Sequence, residues 1–229
     1  MLIKDWMATT ILTVDASTSV MRAIRTMKDN NIRRLPVMSH GKLIGVITDR
    51  DLKEASPSST TSDTDIHEMY YLLSEMKVKD VMTDKCISLK QNDTLEKAAL
   101  VMLRERISGI MIVDEDENLV GLLSETDILR GFIQATGIQD GSHQYVIDMP
   151  DAPGSTTRFI DLLRSKEARV LSILTSFQDA PAEMKRVTVR VLADENKALE
   201  ITRELDKFEN YTIVFEGKDE LHNLPTKKR

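Results

Sequence analysis

The chain has little of several things that common functional classes require. Its 229 residues contain one cysteine, Cys86, which excludes an internal disulfide and fits a reducing compartment. Aromatic residues make up only 4% of the sequence, which disfavours the stacking platforms of single-strand nucleic-acid binders. The formal charge of −6 would also repel a phosphate backbone. We therefore expect no nucleic-acid partner.

Long apolar runs are missing as well. No window approaches the roughly 18 consecutive apolar residues of a membrane-spanning helix, and the opening MLIKDWMATT has no signal-peptide pattern. We expect no membrane partner and a cytoplasmic location. The four histidines lack metal-ligand spacing, and no glycine-rich phosphate loop occurs. The sequence thus predicts no metal site, no cofactor and no enzymatic activity.

What the chain does contain is an internal repeat. IKDWM near the start matches VKDVM at an offset of 75 residues, and KLIGVITDRDL matches NLVGLLSETDI at an offset of 76. Each copy reads as a strand, a helix with apolar residues at i, i+3, i+4 and i+7, two strands and a second helix. We call residues 1–55 copy 1 and residues 78–135 copy 2. Two β-α-β-β-α units should pack as a pseudo-twofold pair in an α/β (α+β) protein.

The remaining segments follow other patterns. Residues 56–77 begin as a loop rich in Ser, Thr and Asp and end as an amphipathic helix with Ile66, Met69, Tyr70 and Leu73 on one face. Residues 142–217 read as βαββαβ, which predicts one antiparallel sheet with two helices on one face. Residues 218–229 have no period and predict a frayed tail.

Both copies place a hydroxyl three residues before a carboxylate where the second helix begins. The pairs are Thr48 with Asp51 and Ser124 with Asp127. One interpretation is a capping box, in which hydroxyl and carboxylate satisfy free backbone N–H groups. The other is that the carboxylate accepts hydrogen bonds from ribose hydroxyls while the helix N-terminus favours phosphate.

Two adjacent arginines that could hold a phosphate occur in copy 1, and copy 2 lacks their direct equivalent. NIRRLPV places Arg33 and Arg34 among the apolar Ile32, Leu35 and Pro36, and the guanidinium fork matches phosphate geometry. Two solvated surface arginines are the alternative. Copy 2 has Ser108 and Gly109 at the corresponding positions, so we expect the two clefts to differ in affinity or ligand.

These motifs resemble those of tandem CBS domains, also called a Bateman module. One signature occurs twice, as GVITDRD and GLLSETD; it consists of a glycine, two apolar residues, Ser or Thr, any two residues and Asp. The KDxM opening also occurs twice. The resemblance implies AMP, ADP, ATP or S-adenosylmethionine as a regulatory ligand, with Ser/Thr and Asp on ribose, backbone near RRLPV on adenine and basic residues on phosphate. One cleft then comprises Thr48, Asp51, Ile32, Arg33, Arg34, Leu35 and Pro36, and the other comprises Ser124, Asp127, Ser108, Gly109 and Ile110.

The last third resembles an ACT domain. DMPDAPGSTTRFIDLL is similar to its first strand, ligand loop and helix, with the loop at Asp151, Pro153, Gly154 and Ser155; a plain turn is the alternative. The order CBS, linker, CBS, ACT resembles the acetoin-utilisation B family. This implies a non-catalytic regulator, a homodimer through its CBS pairs and ACT domains, that couples nucleotide binding to the ACT domain or to a partner protein. The alternative is an interaction scaffold with an amino-acid-sensing ACT domain and vestigial nucleotide sites.

Overall fold

The computed structural model describes residues 1–55, 71–84 and 86–225. They form two compact units, Met1–Gly131 and Phe132–Arg229. Most of the predicted linker, including Ile66, Met69 and Tyr70, lies outside the described residues. Residues 71–75 are helical, and Leu73 is buried in the core of copy 1.

Both copies have the predicted β-α-β-β-α order. The elements of copy 1 are β1 (Val14–Asp15), α1 (Val20–Asp29), β2 (Arg34–Ser39), β3 (Lys42–Thr48) and α2 (Asp49–Ala55). Those of copy 2 are β5 (Ser88–Lys90), α3 (Leu95–Glu105), β6 (Gly109–Val113), β7 (Leu119–Ser124) and α4 (Glu125–Ala135). An additional short strand before them, β4 (Thr83–Asp84), joins the sheet of copy 1. The first strand of the repeat pairs parallel to the next, which pairs antiparallel to the third. The hydroxyls of Ser19 and Thr94 cap α1 and α3.

The opening segment of each copy packs into the core of the other copy. Short 3-10 turns, Ile3–Asp5 and Val78–Asp80, begin the two segments. Ile3 is fully buried with Leu95 of copy 2, and Val78 is fully buried in the core of copy 1. The backbone N–H of Ile3 donates to the carbonyl of Asp93 at 2.9 Å. Each core is therefore completed by residues from the other copy.

The signature glycines make room for these exchanged segments. A Cβ on Gly121 would lie 2.3 Å from the sulfur of Met7, and one on Gly45 would lie 2.5 Å from the backbone oxygen of Thr83. Beside Gly45, β4 extends the sheet of copy 1, because Asp84 pairs with Gly45 of β3. The two repeated motifs, KDxM and the glycine signature, thus meet each other across the copies.

The second unit has the predicted βαββαβ order. Its elements are β8 (His143–Pro150), α5 (Ser155–Ser165), β9 (Arg169–Ser176), β10 (Met184–Leu192), α6 (Glu195–Leu205) and β11 (Thr212–Lys218). The strands form one antiparallel sheet in the order β11-β8-β10-β9. One core joins Tyr145 and Val189 of the sheet to Phe159 of α5 and Ile201 of α6, so both helices cover the same face.

The prediction of a frayed tail over 218–229 is wrong for the part of it that the structure describes. Lys218 is the last residue of β11, and Leu221–Asn223 form a 3-10 turn. The Asp219 side chain is 12% exposed and pairs with the Nε of Arg190 at 2.8 Å. The backbone N–H of Leu221 also donates to Oδ1 of Asp140 at 3.0 Å. Periodicity reports repeated contacts, and it cannot reveal a segment that is held by separate long-range contacts such as these.

Candidate functional site

A cavity of about 490 Å³ in the first unit collects residues from both copies. Ser124 and Asp127 line it from copy 2, and Arg33 and Arg34 line it from copy 1. Five apolar residues also line it, and four polar residues and a second carboxylate, that of Glu125, complete the wall: Ala8, Ile11, Leu12, Ile32 and Leu122, with Thr10, Asn31, Ser108 and Thr126. The cavity therefore combines two carboxylates, two cations and an apolar slot.

The hydroxyl-carboxylate pairs form capping boxes in both copies. The backbone N–H of Ser124 donates to Oδ2 of Asp127 at 2.9 Å, and the Ser124 hydroxyl lies 2.5 Å from the same oxygen. Thr48 and Asp51 make the equivalent contacts at 2.8 and 2.7 Å. The capping interpretation is thus correct for the local geometry.

Capping uses one oxygen of each carboxylate. Oδ1 of Asp127 has a single contact among the described residues, 3.4 Å from a guanidinium nitrogen of Arg130. The Arg130 side chain is 70% exposed, so this ion pair is weak and readily exchanged. Since a carboxylate oxygen has two lone pairs, Asp127 can cap its helix and accept further hydrogen bonds.

Arg34 extends from copy 1 into copy 2. Its Nη2 donates to the hydroxyl of Ser108 at 2.5 Å. A Cβ on Gly109 would lie only 1.4 Å from Nη1 of Arg34, so the guanidinium occupies space that any larger residue at 109 would take. In the repeat, Gly109 is the counterpart of Arg34 itself. The asymmetry of the two copies therefore places the cation of one copy over the glycine of the other.

The charges around Arg34 are mixed. Burial is the largest effect on its pKa and lowers it, whereas the carboxylates of Glu125 and Asp49 raise it and Arg33 lowers it. The net shift is downward from an ordinary value far above neutrality, so Arg34 remains a cation. A partly desolvated cation beside a cavity is an effective partner for an anionic ligand.

The structure groups the sequence-predicted residues differently from the expectation. Arg33 and Arg34 share the cavity with Ser124 and Asp127, and neither Thr48 nor Asp51 lines it. The exchange of opening segments, which the sequence did not reveal, explains how both copies contribute to one cavity. Three predicted contacts have buried side chains and could act only through their backbone: Leu35, Pro36 and Ile110.

The predicted ACT loop forms the start of α5. Gly154 has φ of +86°, a conformation that favours glycine. Ser155 is buried and its hydroxyl donates to the carbonyl of Ala152 at 2.9 Å. Pro153 is exposed, and Asp151 lies 3.6 Å from the ammonium of Lys185. These contacts account for a helix-initiating turn.

Two other kinds of site find no support in the described parts of the chain. Residues 1–55, 71–84 and 86–225 include no cluster of three His, Cys, Asp or Glu side chains suited to a metal ion. Within the same ranges, no helix is long and apolar enough to cross a membrane.

The first unit is thus a duplicated α+β unit with a cavity lined by both copies. The family model described as CBS domain matches residues 3–58 and 78–133. The CBS domain-containing protein YhcV of Bacillus subtilis is 31% identical over 126 residues, which are 55% of this chain and 81% of YhcV. The chain belongs to the CBS-domain family.

Other relatives are longer, or are known in three dimensions. The uncharacterised protein MJ1225 of Methanocaldococcus jannaschii is 30% identical over 128 residues, 54% of this chain and 46% of that protein. The chain thus spans about half the length of this relative. The crystal structure of the CBS-pair protein CBSX2 from Arabidopsis thaliana has 25% identity and a TM-score of 0.51, covering 58% of this chain and 94% of CBSX2. CBSX2 has also been crystallised in complex with AMP (27% identity, TM-score 0.48, 58% and 96% covered).

Proposed function

We propose that this protein is a non-catalytic regulator that binds a phosphate-bearing adenosine ligand in the cavity shared by its two copies. The observation that carries the proposal is the convergence of Asp127, Arg33 and Arg34 on one cavity. Asp127 accepts hydrogen bonds from the ribose hydroxyls through Oδ1 while its Oδ2 caps α4. Arg33 and Arg34 meet the phosphate, and the adenine lies against Ile11, Leu12 and Ile32.

The proposal favours one cleft over the other. The cavity beside Asp127 has two arginines, and copy 2 supplies only Ser108 and Gly109 at the aligned positions for the cleft of Thr48 and Asp51. A phosphate without a cationic partner loses charge-assisted hydrogen bonds worth about 1.5–3 kcal/mol each. AMP should therefore occupy the Asp127 site first.

Matched alanine variants test this proposal by calorimetry with AMP on the full chain. Both Asp127→Ala and Asp51→Ala remove the same capping contacts, so both should lose about 1 kcal/mol of stability. Only Asp127→Ala should weaken AMP binding, by about 10–100-fold, if one or more ribose hydrogen bonds are lost. ADP, ATP and S-adenosylmethionine complete the panel. Equal losses of AMP affinity in the two variants would contradict the proposal, and so would the absence of binding heat with every one of these ligands.

We also propose that the second unit is an ACT domain and that nucleotide binding is coupled to it or to a partner protein. The βαββαβ order, the strand order and the glycine at the start of α5 support this. The protein should act in the cytoplasm as a homodimer, formed through the CBS pairs and the ACT domains. Native mass spectrometry would measure the subunit count and any co-purified nucleotide together.

A specific observation favours a second candidate, an interaction scaffold with vestigial sites. Both aspartates already have capping partners in their own copies, so the spacing that the two copies share has a sufficient structural explanation. A scaffold predicts a melting temperature that does not change with nucleotide, because a ligand of the folded state must raise it.

A further inference from the structure

The second unit contains a cavity of its own, far from the predicted ACT loop. It encloses about 330 Å³ between α6 and the paired ends of β8 and β11. His143 begins β8, and the loop that carries Gly154 follows the other end of that strand. Eight residues of strand separate the two regions by about 25 Å. The cavity is therefore a site distinct from that loop.

The antiparallel register concentrates polar groups in this cavity. His143 pairs with Lys218 and Tyr145 pairs with Glu216, so the four side chains lie on the face covered by α6. Thr202 of α6 donates to Oε2 of Glu216 at 2.6 Å. Ala198 and Leu199 of α6 supply an apolar wall. A small volume with an apolar wall and a few convergent polar groups is typical of a ligand site.

One of these polar groups has no partner. Nδ1 of His143 is buried and makes no hydrogen bond with any described residue. An unsatisfied buried nitrogen is costly, and native structures seldom keep one without a reason. In the tautomer that carries its proton on Nε2, Nδ1 is an acceptor. The His143 ring lines the cavity, so a ligand N–H group that turned the ring toward itself would satisfy Nδ1.

The charges of the cavity favour a cation. Glu195 and Glu216 contribute two carboxylates to the lining, and Lys218 contributes one ammonium. Lys218 is already paired with Glu195 at 2.8 Å, in an ion pair whose side chains are 41% and 76% exposed. An anion would have to compete with Glu195 for that ammonium. A cation finds Glu216 held in place by Thr202.

We propose that this cavity binds a small protonated primary amine with a short apolar stem. Its ammonium donates to Nδ1 of His143 and to the carboxylate of Glu216. Its stem lies against Ala198 and Leu199. The site is lined by residues of the second unit, and its occupancy would give that unit a ligand signal of its own.

A ligand series of equal size and different charge tests the proposal. The full chain is titrated with n-butylamine, butanol and butyrate at constant pH and ionic strength, and the imidazole nitrogens of His143 are followed by long-range proton–nitrogen NMR. A His143→Gln variant assigns the signal. We expect a saturable shift of Nδ1 with n-butylamine only. Preferential binding of butyrate, or no saturable shift with the amine, would overturn the proposal.

Three variants locate the binding. Glu216→Gln removes the charge and should weaken amine binding about tenfold, equivalent to about 1.4 kcal/mol. Leu199→Trp replaces a 55% exposed side chain and should block the cavity without disturbing the core. The control Glu209→Gln changes an exposed glutamate outside the cavity and should leave the affinity unchanged. Unaltered binding in both Glu216→Gln and Leu199→Trp would place the amine elsewhere and refute the site.

Discussion

Single residues give the two copies different chemistry although their backbones repeat. Arg34 and Gly109 occupy equivalent positions, and the guanidinium of the first lies where a side chain of the second would be. The cation of copy 1 thereby enters the cavity that contains Asp127 of copy 2. The difference between Arg34 and Gly109 therefore gives the cavity of Asp127 a cation that the cleft of Asp51 lacks.

Gly109→Ala should weaken AMP binding without unfolding the protein. The new Cβ meets the flexible end of Arg34, so the guanidinium moves while the backbone keeps its place. We expect a loss of up to about tenfold in AMP affinity, consistent with one charge-assisted hydrogen bond. Adenosine, which lacks a phosphate, should bind as before. Calorimetry with both ligands measures the difference.

Ser108→Ala is the control for this prediction, because it removes the hydroxyl that contacts Arg34 and adds no bulk. Its effect on AMP should be smaller than that of Gly109→Ala. An equal loss of adenosine binding in Gly109→Ala would show instead that the cavity as a whole had been distorted.

At the scale of elements, the exchanged opening segments are what turns two repeats into one unit. Ile3 completes the core of copy 2, and Val78 completes the core of copy 1. The glycines of the signature permit this exchange, because Met7 and Thr83 lie where their side chains would be. The signature glycine is thus a packing requirement, separate from the hydroxyl and carboxylate that follow it.

The two signature glycines should respond differently to the same substitution. In Gly45→Ala the new Cβ meets the backbone oxygen of Thr83, which is held by the pairing of β4, and we expect a loss of about 1–3 kcal/mol. In Gly121→Ala it meets the sulfur of Met7, a flexible side chain that can shift, so the loss should be smaller.

Urea denaturation of both variants measures these losses as changes in the free energy of unfolding. Each substitution is the control for the other, because the two positions are equivalent in the repeat. A larger loss for Gly121→Ala would mean that the opening of copy 1 is the more rigid of the two.

A buried ion pair with a definite pH dependence helps to hold the segment after β11. Burial raises the pKa of Asp219, but hydrogen bonds from Arg190 and Ser142 lower it more, so the net shift is below the ordinary value of 3.8. The folded state therefore binds the proton less readily than the unfolded chain. The pair stabilises the fold fully above that ordinary value, and this stability is lost as the pH falls through the lowered pKa.

Asp219→Asn should reduce the free energy of unfolding by about 3 kcal/mol near neutral pH, because it leaves the buried Arg190 without a charged partner. The difference from the unmodified protein should shrink below pH values of about 4, as Asp219 becomes protonated. Urea denaturation across this range measures it, and Glu220→Gln is an exposed control. A difference that stayed constant with pH would argue against a role for the Asp219 charge.

At the scale of the whole molecule, the chain is two units with separate cores. The proposed nucleotide cavity belongs to the first unit and the proposed amine cavity to the second. A regulator needs a coupling free energy between such sites, typically of 1–3 kcal/mol.

Differential scanning calorimetry should reveal that coupling. We expect AMP at a hundredfold excess over its dissociation constant to stabilise the first unit by about 2.7 kcal/mol. The transition temperature of the second unit should also rise, by a smaller amount than that of the first unit. A rise in transition temperature confined to the first unit would indicate that the signal passes to a partner protein. No rise in either unit would favour the interaction scaffold.

The sequence by itself determined the repeat, the order of elements in both units and the residue types of the site. Apolar spacing follows from local geometry, and duplication is visible by comparison of the chain with itself. For the same reason, Ser124 with Asp127 and Thr48 with Asp51 were recognisable at the helix starts.

Tertiary structure alone decided which of these residues meet. Local spacing carries no information about the exchange of Ile3 and Val78, and so the sequence assigned Arg33 and Arg34 to the cleft of Asp51. The ion pair of Asp219 and the cavity around His143 also join residues that are distant in the chain. Such contacts arise when elements pack, because packing selects partners by shape and burial rather than by position in the sequence.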